Sequence, residues 1–134
     1  MEHNYTIHDG YLQDPQDENK VIPFENVYFV KAIKGSYCVF VDDSKVPRKI
    51  SHNIGYVLKA FNNPDFVRYN DNGFANMNVI SEVKKKKANT NIRDIVMIDN
   101  TILKTSKRKT GSFLRIYKIF RATKQINPNV QGNE

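Results

Sequence analysis

The sequence predicts a mainly β protein, and three observations carry that prediction. Short apolar runs rich in Val, Ile, Phe and Tyr recur along the chain, separated by Gly, Asn, Asp or Pro. A single segment shows the three- and four-residue spacing of an amphipathic helix. The length, 134 residues, suits one sizeable core rather than two, and 40% hydrophobic with 26% charged residues is the composition of an ordinary globular domain.

Taken in order, residues 1–22 are polar and include Pro15 in "QDPQDE", which predicts a loose N-terminal arm, with the ordered part starting near Val21. "VYFVKAIKGSYCVFVDD" predicts two strands joined by a tight Lys34-Gly35-Ser36 turn, where Gly35 supplies the positive φ such a turn commonly needs. In "VPRKISHNIGYVLKAFNNPDF" the period changes. Ile50, Ile54, Val57 or Leu58, and Phe61 share a helical face, Ser51 is a candidate N-cap, and Asn62-Asn63-Pro64 ends the run. "FVRYNDNGFAN" then sets Arg68, Asn70, Asp71, Asn72 and Asn76 in an aromatic frame where a strand should turn, with Phe66, Tyr69 and Phe74 as packing residues beneath.

"MNVISEV" leads into "KKKKANTN", a hairpin loop or disordered bridge, and "IRDIVMIDNTILKTS" predicts strand, turn and strand about Asp99-Asn100. "SFLRIYKIF" fits either a strand or a last helical turn. The folded domain is expected over residues 23–120, and residues 121–134 are expected to be a flexible tail.

Charge narrows the partners. Net charge is +7, but residues 1–20 hold five acids against Lys20, leaving 20 bases and 9 acids beyond them. From Lys84 to Lys124 there are 13 bases against Asp94 and Asp99, and from Lys104 to Lys124 no acid at all. Such a one-sign stretch repels itself unless a polyanion relieves it, so nucleic acid leads and an anionic surface follows; a solvated basic face is the plainer account.

Other classes find little support. No run approaches the roughly 18 apolar residues of a membrane helix, and the N-terminus lacks the basic and apolar parts of a signal peptide, so a cytoplasmic protein is expected. Cys38, the only cysteine, sits in "YCVFV" and reads as a buried small hydrophobe. There is no phosphate loop and no nucleophile motif, so no enzyme is expected. One Cys with three scattered His cannot fill a tetrahedral site, and no metal or cofactor is expected.

What remains is polar and basic groups at turns. Base readers need side chains that present paired donors, or a donor and an acceptor, at fixed spacing, as Arg does to guanine and Asn to adenine; lysines meet phosphates as point charges. The order of the pieces resembles the LytTR DNA-binding domains of bacterial transcription regulators, from about Pro23 to Tyr117. "FENVYFVKAIKGSYCVFV" is similar to the family's opening strands, "FVRYNDNGFANMNVISEV" to its central Arg, polar and Asn stretch, and "IVMIDNTILKTSKR" to its closing hairpin with terminal basic residues.

The resemblance implies an elongated stack of small antiparallel β-sheets, about ten strands with one short helix, whose loops enter the major groove. It implies DNA contacts at Lys34 and Ser36 in the first turn, at Arg68, Asn70, Asp71 and Asn72 in the second, and at Lys107 and Arg108 in the third. Asp71 departs from the family pattern. Beside phosphates a carboxylate is repelled, so Asp71 must accept from cytosine, turn away, or pair with Arg68 or a lysine, and pairing is the expectation. Asn76, the inner asparagine, suits buried backbone as well as DNA.

The function implied is a transcription regulator without a receiver domain, a stand-alone protein or a fragment, bound to double-stranded DNA at promoters with repeated sites, two copies to an operator. The alternatives are a non-specific RNA- or polyanion-binding β module and a protein-interaction adaptor.

Overall fold

A computed structural model describes residues 4–34, 37–85 and 91–132. Among them are eleven strands and two α-helices. The large sheet runs in the order β3 (Asp17–Pro23), β2 (Tyr11–Asp14), β1 (Asn4–Ile7), β6 (Arg48–Ile50), β5 (Tyr37–Asp42), β4 (Val27–Lys34), β8 (Gly73–Asn76), β7 (Phe66–Asn70), and the small one in the order β11 (Ile102–Lys104), β10 (Arg93–Met97), β9 (Ile80–Lys85). The strands that hold the turns of interest are β4 (Val27–Lys34), β5 (Tyr37–Asp42), β7 (Phe66–Asn70) and β8 (Gly73–Asn76).

Alternation along these strands sends side chains into two separate cores. Val30, Phe66 and Phe74 join the first, with Phe24, Phe40, Leu12 and Ile50. Their chain neighbours Phe29, Val67 and Ala75 join the second, with Met77, Ile95, Met97 and Phe113. The β4-β8-β7 end of the large sheet is therefore apolar on both faces, and β8 is buried at every position. Val27 and Val30 can both face the first core because the register slips between Val27 and Phe29.

Helix α1 (Ile54–Phe61) covers the first core. Phe61 stacks on Phe24 at 4.1 Å between centroids and meets Phe66 and Phe74 edge-on at 5.1 and 5.4 Å. The cap is Asn53, whose Oδ1 accepts from Tyr56 N at 2.8 Å, rather than Ser51, and Ile50 belongs to strand β6 (Arg48–Ile50). Asn62 stops the helix in the left-handed region at φ 46°. The small sheet, β9 (Ile80–Lys85), β10 (Arg93–Met97) and β11 (Ile102–Lys104), covers the second core, and Asn100 closes its tight turn at φ 73°. Of the expected lysine-rich loop, residues 84–91, Lys84 and Lys85 instead end β9, paired with Asp94 and Arg93, and residues 86–90 lie outside the described residues.

Three expectations change. The polar arm is not loose: β1 (Asn4–Ile7), β2 (Tyr11–Asp14) and β3 (Asp17–Pro23) extend the large sheet, and Tyr5, Leu12 and Ile22 enter the first core. Its polarity reflects a mostly exposed strand at the edge of the sheet, as β3 shows. The pairing is not wholly antiparallel, since β1 runs parallel to β6, Asn4 opposite Lys49. Nor is there one helix. Lys107–Gly132 form α2, which takes in both the ambiguous "SFLRIYKIF" and the expected tail up to Gly132. Ser106 starts it, its Oγ and carbonyl accepting from Lys109 N at 3.2 Å and Thr110 N at 3.0 Å. Thr110, Phe113, Leu114 and Tyr117 then face inward at helical spacing, while Ile116 and Ile119 remain exposed, so apolar residues on both faces hid the period.

Candidate nucleic-acid interface

The β7–β8 turn is built by its own side chains. Asn70 Oδ1 accepts from Asn72 N at 2.7 Å, holding Asp71 and Asn72 at the tip. Glycine follows because of space, not φ: a Cβ on Gly73 would sit 2.5 Å from the Tyr69 hydroxyl. Tyr69 is almost fully buried beneath the tip, and burial pushes its phenol up to about 12, so it stays neutral. Phe66 and Phe74 are likewise buried, as the sequence suggests.

The tip is tied to both of its neighbours. Ala32 N on β4 donates to the Asn72 carbonyl at 2.7 Å. Lys34 lies two residues further along β4, so this strand ends at the same edge as the turn; the Lys34 side chain, Gly35 and Ser36 lie outside the described residues. On the other side, Asn70 Nδ2 donates to the Lys104 carbonyl at 3.3 Å and Ser106 N to the Tyr69 carbonyl at 3.0 Å. Ser106 thus both anchors the third element to β7 and starts the helix that presents Lys107 and Arg108.

Charge links these two tips as well. Arg108 Nη1 stands 3.8 Å from Asp71 Oδ2, and Arg68 Nη1 donates to the Asp71 carbonyl at 3.0 Å. Asp71 therefore pairs, but with Arg108 instead of Arg68 or a lysine. At 76% and 48% exposure the two side chains form an ion pair worth at most about 1 kcal/mol, easily exchanged for another partner. Arg68 braces the turn from below, and Asn70 is occupied with backbone on both sides.

Asn76 is a structural residue. Fully buried, its Nδ2 donates to the carbonyls of Glu25 at 3.1 Å and Val27 at 3.0 Å, and its Oδ1 accepts from Asn78 N at 2.9 Å. Cys38 is buried, and burial lifts its thiol to about 11. His8 and His52 are exposed, each stacked on a neighbouring tyrosine. Among the described residues no helix is long and apolar enough to cross a membrane.

Arg68, Asp71, Asn72, Lys107 and Arg108 thus gather at one edge of the molecule. Sequence reasoning named these residues but missed Ser106 as the joint and the helix that carries the third tip; a serine able to cap the run that follows it was the available signal.

A two-core β protein with two neighbouring turn tips held by the same strand is the class that this geometry defines. No family model and no curated protein matches the chain. A solved structure described as a LytTr DNA-binding domain from Bacillus cereus does match in backbone, with a TM-score of 0.64 at 13% identity over 72% of this chain and 85% of that one. The fold is LytTR-like.

Proposed function

We propose that the protein binds double-stranded DNA sequence-specifically, its turn tips entering the major groove, and regulates transcription, two copies occupying an operator with repeated sites. The observation that carries this reading is the joining of the second and third tips through Ser106 N to Tyr69 O and through Asp71 to Arg108, at the edge where β4 also ends. Loops held this firmly can reach base edges without a large ordering penalty. The likeness in fold to a DNA-binding domain supports the same reading.

Within it, Arg108 reads a guanine, leaving its weak pair with Asp71, and Asn72 offers its amide beside it. Lys107 meets a phosphate. Arg108→Ala should weaken binding to the selected operator by about 1–3 kcal/mol and relax preference at one base pair, whereas Lys107→Ala should weaken all duplexes alike. The measurement is competition between an operator selected from random DNA and its scrambled form. A preference of about a thousandfold or more is expected of the wild type. Equal binding to both duplexes would instead favour a non-specific polyanion binder, and equal losses for Arg108→Ala would remove that residue from base reading.

A further inference from the structure

On the flank where α2 passes the start of β10 lies an open cleft of about 520 Å3 lined by Arg93, Leu114, Arg115, Tyr117 and Lys118. Its lining is chemically divided. Leu114 and Tyr117 form a half-buried apolar floor, while Arg115 and Lys118 stand exposed at the rim, and no acid lines it. Among the described residues neither rim cation makes an ion pair. Arg93 is held in place by its Nη1, which donates to the Asn91 carbonyl at 2.8 Å, and Lys85 stands opposite it across the β9–β10 pair. Arg121 adds a further cation behind the floor, its Nη1 donating to Tyr117 Oη at 2.8 Å.

The cleft stands in a defined relation to the tip. Arg115 follows Arg108 by two helical turns, so the two leave α2 within about 20° of each other and about 10 Å apart along the axis, with Lys118 about 15 Å from Arg108. The major groove of B-DNA is about 12 Å wide. An α2 whose first turn reaches base edges therefore brings the cleft to the strand that walls the groove.

We propose that this cleft holds the phosphodiester backbone bordering the groove that the tips read, an inference that rests on the DNA-binding reading above. Arg115 and Lys118 receive phosphate oxygens, Arg115 able to do so with two parallel N–H groups, and the deoxyribose lies against Leu114 and Tyr117. A cleft with both cations and an apolar floor suits a sugar-phosphate chain, which has both characters.

The double variant Arg115→Gln/Lys118→Gln tests it, both positions being exposed on a helix and so tolerant of the change. Binding to the selected and the scrambled duplex is measured from about 50 to 200 mM salt. The slope of log affinity against log salt should become shallower by about 1–2, since each phosphate contact contributes about 0.9, and both duplexes should lose affinity equally. Lys59→Gln, on α1 over the other core, should leave the slope unchanged.

A double variant that still binds duplex with the wild-type slope would overturn the cleft and leave the DNA reading standing, as would a loss confined to the selected duplex. Failure of the wild type to bind any duplex would remove both. Inorganic phosphate titrated into the DNA-free protein, followed by amide resonances of residues 114–118, separates the remaining source. Saturation below millimolar, with the duplex slope unaltered in the variant, would assign the cleft to a free anion and overturn the proposal.

Discussion

Phe113→Ala lowers the free energy of unfolding by about 3–5 kcal/mol, the range for emptying a fully buried aromatic site. Phe113 is 0% exposed and joins the second core beside Ile95, Met97 and Leu103, with Tyr117 stacked on it at 5.7 Å. Among the described side chains of α2 it is the most buried, so its loss also loosens the seat of the helix on β7. The midpoint of urea unfolding reads the first effect. The second is read by amide exchange along residues 109–118, which should accelerate more than exchange in β5. A loss under about 1 kcal/mol would mean that α2 is not seated on the sheet as described, and the position of Arg108 would fall with it.

Asn76→Ala is the other large effect. The side chain occupies a wholly buried position and satisfies two carbonyls and one amide, and each buried group left unpaired costs about 1–3 kcal/mol. Relaxation and water entry recover part of this, so a net loss of about 2–4 kcal/mol is expected. The informative feature is what does not change: under conditions where the variant stays folded, the ratio of affinities for selected and scrambled duplex should equal that of the wild type. A change in that ratio with stability intact would place Asn76 against a base rather than inside the sheet.

Much of the fold was legible because it is written locally. Asp99-Asn100 marks a tight turn through a residue that tolerates positive φ, and Asn62-Asn63-Pro64 ends a helix for the same kind of reason. The alternating runs around Lys34 and the aromatic frame of Arg68 predict β4, β5, β7 and β8 where they stand. What escaped depends on distant partners. Asn4 pairs with Lys49 and Leu12 sinks into a core built mainly from later residues, and nothing near them in the chain announces either.

The candidate site divides in the same way. Arg68, Asn70, Asn72 and Arg108 stand out by residue type and turn position. That Asn70 is spent on Asn72 N and the Lys104 carbonyl, and that Asp71 faces Arg108, follows only from how the second and third tips dock. Spacing in sequence carries no such information, since Asp71 and Arg108 are separated by two hairpins.

The opening turn of α2 holds Lys107, Arg108 and Lys109 without a single acid, at the end where the helix dipole is itself positive. Each such charge opposes the helix by about 0.3–1 kcal/mol at low ionic strength, and mobile ions screen that opposition. Sodium chloride should consequently raise the melting temperature of the DNA-free protein over the same range in which it dissociates the complex. One electrolyte then acts with opposite sign on endurance and on grip, and a calorimetric scan beside a binding isotherm would display both.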